Sequence, residues 1–305
     1  MISVSLGKEE VVFDYSQEQC AEMDLPDVYA HAIKNYKGEI VLVSGNAPDN
    51  YFMFGKDFNS LKRNCKPVIK SGNKWEAAAL DHQEWITSAY SEDGKIIHAL
   101  VHNEYHDPFA SNCMPGNTDP GNPCWYNFIS YAQSTDGGYT FTQKPSPDHL
   151  VAILPFQWNA AAMAVIGKAG APPEVHGYME PGNIIKKDEY YYSMFAALLS
   201  PTDPMQRGTC IMRTATLEDP SSWKVWDGKG FNIPHINPYK NQPSNPNQYI
   251  CTPVSQQTIG DLRSSLTHNT YLQKYMLVGT GVYQHEDNPQ SCGFWFSLSD
   301  DLIIW

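Results

Sequence analysis

Short apolar runs separated by turn residues recur along the whole chain. Val28 to Ile33, Ile40 to Ser44, Trp85 to Tyr90, Ile96 to Val101 and Trp125 to Gln133 suit extended strands. So do Asn183 to Ile185, Tyr190 to Ala196, Thr209 to Arg213, Tyr249 to Val254, Tyr271 to Gly279 and Gly293 to Ser297. Links such as Tyr36-Lys-Gly38 and Glu92-Asp-Gly94 signal tight hairpins. No long helical pattern interrupts them. Ala160 to Gly170 is small and apolar, and reads as a short helix or a packed loop.

The runs also repeat. Segments 51–61, 130–141, 210–223 and 293–305 each read as an apolar strand, a polar turn containing Asp, and a large apolar residue. The turn aspartates Asp57, Asp136, Asp219 and Asp300 are 79, 83 and 81 residues apart. An Asp carboxylate accepts nearby backbone N–H groups, and Gly supplies positive φ, so such a turn has a mechanical reason. Units of this size with three or four antiparallel strands predict an all-β fold, a β-propeller with four repeats visible. About five blades are expected, with four the alternative. Residues 1–305 form a single domain on this reading. Ile2 to Asp14 alternates like a strand and is expected to complete the last blade. The chain stops at Trp305, where an outer strand should begin, and a truncated reading frame would give the same picture. Ser134-Thr-Asp136-Gly-Gly138-Tyr-Thr140-Phe141 resembles the Asp-box of sialidase-type propellers, a structural hairpin without catalytic role.

Composition narrows the function. The 305 residues carry 21 Lys+Arg against 33 Asp+Glu, a formal charge of −12, which disfavours nucleic acid and other polyanions. No run of 18 apolar residues exists, so no membrane span is expected. The first ten residues lack the pattern of a signal peptide.

In a propeller, residues preceding the first strand of each blade share one mouth. Repeat one offers Asp27, repeat two Asp81, His82 and Glu84, and repeat three Glu180. Carboxylates brought together in this way are what glycosidic hydrolysis needs. Glu180-Pro-Gly-Asn-Ile-Ile, followed by a turn and Tyr190-Tyr-Tyr192, resembles the acid-bearing blade of five-bladed glycosidases such as arabinanases, β-xylosidases and fructan hydrolases. That resemblance implies Asp27 as base or nucleophile, Asp81 as pKa modulator and Glu180 as acid, acting on an oligo- or polysaccharide. The departures are Asp27-Val, where that group usually has Asp-Pro, and the Asp81-His-Gln-Glu-Trp sequence of the second blade.

A second constellation competes. His102-Asn-Glu104-Tyr105-His106-Asp107 ends a strand and opens a long loop. With His82, Tyr191 and Arg207 it resembles the His/Tyr/Arg set of propeller-fold ulvan lyases, which implies β-elimination. In the hydrolase reading His82, Glu84, His102, Glu104, Tyr105, Tyr191 and Arg207 are substrate-binding residues. Trp85, Trp125, Tyr105 and Trp158 read as sugar-stacking platforms or inter-blade packing. A third reading is a sugar-binding or interaction propeller without catalysis.

Seven cysteines, at 20, 65, 113, 124, 210, 251 and 292, include no CxxC. Cys20–Cys65 and Cys113–Cys124 are expected disulfides, and Cys251 with Cys292 are expected to be buried in adjacent strands or linked. Their placement favours a secreted or periplasmic protein, with the cytoplasm as the alternative. No cofactor is required for the expected chemistry. Structural calcium is an option at the funnel, and His235, Cys251, His268 and Cys292 have the ligand types for structural zinc.

Overall fold

A computed structural model describes residues 7–107, 125–158, 175–198, 207–260, 262–285 and 288–305. Its described residues form strands and turns, with helix limited to single turns such as Tyr15–Glu18 and Gln256–Ile259. Blade one comprises β1 (His31–Lys34), β2 (Ile40–Val43), β3 (Met53–Gly55) and β4 (Lys62–Arg63), paired in that order. Blade two comprises β5 (Gln83–Tyr90), β6 (Ile97–His106), β7 (Trp125–Ser134) and β8 (Leu150–Ala152).

In blade three, β9 (Val175–Met179) and β10 (Ile185–Lys187) both pair with β11 (Tyr190–Leu198), followed by β12 (Arg207–Thr214), β13 (Lys224–Trp226) and β14 (Phe231–Pro234). Blade four comprises β15 (Ser265–Asn269), β16 (Lys274–His285) and β17 (Asn288–Ser299). Strand β9 also pairs in parallel with β7, which joins blades two and three into one ten-stranded sheet.

Period-two alternation explains how the blades stack. Each blade turns its odd and even positions to different neighbours. Ala99 and Val101 of β6 meet Val41 and Val43 of blade one, whereas Leu100 between them faces Phe195 and Cys210 of blade three. Met194 and Ile211 of blade three then face Leu266 and Leu277 of blade four. Three apolar layers between four successive blades are the packing that a propeller requires.

The Ser134–Phe141 turn folds as its sequence suggests. Asp136 accepts the Tyr139 and Thr140 N–H groups at 3.0 Å and the Thr140 hydroxyl at 2.7 Å, and Phe141 is buried between blades one and two. In the fourth repeat the turn role belongs to Asp301 rather than Asp300. Asp301 accepts the Ile303 and Ile304 N–H groups, while Asp300 pairs with Lys274 at the surface.

Three expected strands differ. Residues 7–14 are not extended into a sheet, and Phe13 instead covers Leu42, Met53 and Leu61 on blade one. Tyr249 to Val254 is a strap rather than a strand. It is tied down by the Cys210–Cys251 disulfide and by N–H bonds from Cys251 to the Tyr178 hydroxyl, Thr252 to Trp226 and Val254 to Thr209. Tyr271 lies in the turn before β16 and is exposed. The Ala160 to Gly170 segment lies outside the described residues.

Cys20–Cys65 forms as expected. Cys251 pairs with Cys210 rather than Cys292, because β12 brings Cys210 under the strap. That bond also removes Cys251 from any zinc set. Closing loops of this length is worth roughly 3–4 kcal/mol per bridge. The Cys113–Cys124 pair lies outside the described residues. Among the described residues no group of three or more His, Cys, Asp and Glu is placed to hold a metal ion, and no helix is long and apolar enough to cross a membrane.

Candidate active site

The site begins with a strand end on blade two. Residues i, i+2 and i+4 of a strand share a face, so β6 presents His102, Glu104 and His106 together. Glu104 lies between the two rings, with His102 Nε2 3.0 Å from one carboxylate oxygen and His106 Nε2 2.7 Å from the other. Burial alone would raise the Glu104 carboxyl, but the two imidazole hydrogen bonds outweigh it and hold it down at about 2.

The tautomer of His102 follows from its partners. The Glu180 backbone N–H donates to its Nδ1 at 3.3 Å, so its proton sits on Nε2 and is given to Glu104. The buried ring also packs on Trp85, whose indole N–H donates to Asn46 at 2.9 Å. Behind the clamp, the His106 N–H donates to His82 Nδ1 at 3.1 Å, and the buried His82 ring packs against Trp75.

Glu180 arrives from blade three at the break between β9 and β10. Gly177 lets β9 lie against β7: its φ is +120°, and a Cβ there would stand 2.1 Å from the Asn127 carbonyl oxygen. Glu180 itself is left-handed, with φ +46°, which turns the chain out of the sheet. Its carboxylate pairs with the Arg263 guanidinium, a residue supplied from just before β15.

Asp27 arrives from the segment before blade one. That segment is held from beneath by the Cys20–Cys65 disulfide and the Asp24–Arg63 ion pair, whose side chains are 0% and 2% exposed. The Asp27 N–H donates to the Gly45 carbonyl. Its carboxyl is raised above the usual range by partial loss of water, then by the charges of Glu104 and Glu180, with His102 opposing. The strand ends that carry Glu104 and Glu180 are joined by the hydrogen bond from the Glu180 N–H to His102, whose ring in turn holds Glu104. A cleft of about 300 Å³ opens there, lined by Asp27, Tyr29, His31, Thr87, Glu180 and Pro181 among others. Burial pushes His31 down to about 4, so it faces the cleft as a neutral ring at neutral pH.

The other expected residues lie elsewhere. Asp81 pairs with Lys74 at 2.9 Å and belongs to a polar group with Glu84 and His149 on the side of β5 away from the cleft. Tyr105 points into the core, donates to the Trp75 carbonyl, and is raised to about 12 by burial. Tyr191 donates to Glu92 and contacts Tyr90. It pairs with Thr214 at one end of the β11–β12 hairpin, whereas Arg207 pairs with Leu198 at the other. Seven residues of strand separate them, roughly 23 Å at 3.3 Å per residue, so the His/Tyr/Arg set does not converge. Trp158 is half-buried against Tyr105 and Tyr126, and Trp85 is buried.

Glu84 is buried on the opposite face from Trp85, and burial raises its carboxyl to about 7, with Gln143 opposing. The folded state therefore holds this proton longer than the unfolded chain. Its contribution to stability falls as pH rises from about 4.5 through about 7, by at most roughly 3 kcal/mol. Glu84→Gln is expected to flatten that slope, so that urea unfolding at pH 8 shows the variant gaining on the wild type relative to pH 5. An unchanged difference between the two pH values would contradict this placement.

No protein-family model and no curated protein sequence matches this chain. Solved structures do. A glycosyl hydrolase from Bacteroides ovatus matches with TM-score 0.50 and 9% identity, over 92% of this chain and 68% of its own. An endo-arabinase from Bacteroides thetaiotaomicron matches with TM-score 0.44 and 11% identity, over 92% of this chain and 78% of its own. At such identity the first likeness is one of fold. With the stacked blades described above, it makes this chain a β-propeller.

Proposed function

We propose that the protein is a glycoside hydrolase acting on a neutral oligo- or polysaccharide at the Asp27/Glu104/Glu180 cleft. The observation that carries the reading is a cleft lined by Asp27 and Glu180 of two separate repeats, with Glu104 of a third joined to it through the hydrogen bonds from the Glu180 N–H to His102 and from His102 to Glu104. Hydrolysis of a glycosidic bond needs one carboxylic acid to protonate the leaving oxygen and one carboxylate to activate water or attack carbon. A third, permanently charged, tunes the proton donor. Asp27 and Glu180, which line the cleft, are the residues to which the resemblance to five-bladed glycosidases gives catalytic roles. Glu104 takes the third place instead of Asp81. The Arg263 guanidinium is already paired with Glu180 and the His102 imidazole with Glu104, so a uronate or sulfate would meet net negative charge. Tyr29, His31 and Thr87 are the expected sugar contacts. The two disulfides support an oxidising compartment.

The test is a panel of neutral glycans assayed for new reducing ends and for absorbance near 235 nm. Reducing ends without absorbance are expected. Glu104→Gln should lower kcat/KM by about 10²-fold or more, whereas Asp81→Asn, at a partly exposed ion pair with Lys74, should stay within about twofold. Equal losses in both would return the third role to Asp81. Growth at 235 nm would mean elimination, and saturable binding without turnover would mean a binding propeller.

A further inference from the structure

A second cleft, of about 270 Å³, opens where blades two and three meet at the far end of β6. It is lined by Glu92 and Ile96 of the β5–β6 turn, His98 of β6, Tyr191 of β11 and Glu218 after β12, among others. His98 precedes Glu104 by six residues of β6, roughly 20 Å at 3.3 Å per residue. Most of the polar groups here are already engaged. Glu92 accepts from Lys186 at 2.6 Å and from the Tyr191 hydroxyl at 3.0 Å, which ties the turn of blade two to blade three. Asp93 accepts the Lys95 and Ile96 N–H groups at 2.8 Å.

His98 and Glu218 are left over. The His98 side chain is only 10% exposed, and its Nδ1 lies 2.6 Å from the Tyr131 hydroxyl. Its Nε2 makes no hydrogen bond among the described residues and stands 3.6 Å from a Glu218 carboxylate oxygen. That carboxylate favours the tautomer with the proton on Nε2, which leaves Nδ1 to accept from Tyr131. Burial lowers the ring's pKa against the opposing charge of Glu218, so His98 is a neutral donor at neutral pH. Glu218 is fixed through its backbone, whose carbonyl accepts from Lys144 at 3.0 Å, while its side chain is free to adjust in solvent. A donor and an acceptor at this separation are too far apart to bond each other and close enough for one ligand atom to serve both. That atom must accept one hydrogen bond and donate another. A hydroxyl does both, whereas an ammonium group cannot accept from His98 and a charged anion cannot donate to Glu218. Exposed Ile96 and the Tyr191 ring give the cleft an apolar wall, and its volume lies at the small end of ligand pockets.

We propose that this cleft is a second, non-catalytic carbohydrate site. It takes a neutral sugar residue, one hydroxyl of which accepts from His98 Nε2 and donates to Glu218, with Ile96 and Tyr191 against the C–H face of the ring. The site does not depend on the hydrolase reading: a propeller that only binds glycans would use it equally.

The test uses Glu180→Gln protein, in which glycans persist, with maltotriose, cellotriose and xylotriose as probes followed by proton–nitrogen NMR. Before any sugar is added, the His98 ring should report the tautomer protonated on Nε2, and protonation on Nδ1 would overturn the proposal. With at least one trisaccharide, the signals of His98, Ile96 and Glu92 should shift saturably. Adding Glu218→Ala should weaken that binding by about tenfold or more, and Glu218→Gln, which keeps the side-chain volume and an acceptor, should fall between. No saturable shift with any of the three sugars, shifts that Glu218→Ala leaves unchanged, or a response to ethylammonium or sulfate alone would each overturn the proposal. In the otherwise wild-type chain Glu218→Ala should leave release of reducing ends from short glycans within about twofold. Sugar binding at His98 in a protein without any turnover would support this site while sinking the hydrolase reading.

Discussion

Glu180→Gln should lower kcat on glycan substrate by about 10³-fold or more while the fold survives. The amide keeps the size and most of the hydrogen bonding of the carboxylate, so the loss reports the charge. Glu180 has φ +46°, a conformation that costs a non-glycine residue about 1 kcal/mol or more. Glu180→Gly therefore makes a sharper companion. It relieves that strain and loses a half-exposed ion pair worth at most about 1 kcal/mol. Stability should stay near the wild-type value while activity disappears. A residue kept in an unfavourable backbone state, whose removal costs no stability, is there for its chemistry. A glycine variant that unfolds would instead make Glu180 a structural residue.

The second large effect lies beneath Asp27. Arg63→Met leaves the Asp24 carboxylate buried without its guanidinium, which costs about 3–5 kcal/mol. Arg63 also donates to the Ser44 carbonyl and hydroxyl, and Asp24 accepts the Cys20 N–H at 2.9 Å, so the loss reaches the disulfide and the segment running to Asp27. Activity should fall with stability. The double variant Asp24→Leu/Arg63→Met buries no lone charge and should recover most of the loss. Urea unfolding of the three proteins measures this. If the double variant is as unstable as the single one, packing around Phe13 and Arg63, not charge, holds the segment.

The blades were legible because alternation and turn chemistry are local. Ser134 to Phe141 spells its own hairpin, and Ile40 to Val43 its own strand. That Asp27 and Glu180 line one cleft was legible for a related reason, since each precedes or interrupts an inner strand at a point where a propeller opens. Glu104 was named only as a binding residue. Residues 102–107 read as one polar stretch, yet period two divides them into His102, Glu104 and His106 on the cleft face and Tyr105 on the core face. That signal was present in the sequence. Asp81 looked equivalent to Asp27 because sequence position alone does not show which side of β5 its carboxylate takes, and Lys74 and Gly72 decide that. Arg263 offered no local pattern at all. Its role comes from the packing of blade four against blade three, a contact between residues 83 positions apart. The Tyr249 to Val254 strap was misread as a strand because its apolar content serves a disulfide-tied cover rather than a ladder.

The central claim is tested most directly by running the reaction in water enriched in oxygen-18 and weighing the products. Hydrolysis at this cleft predicts one solvent oxygen on each new reducing end, with incorporation abolished in both Asp27→Asn and Glu180→Gln. Products lighter by one water and free of the label, or label incorporation that persists in both variants, would contradict it.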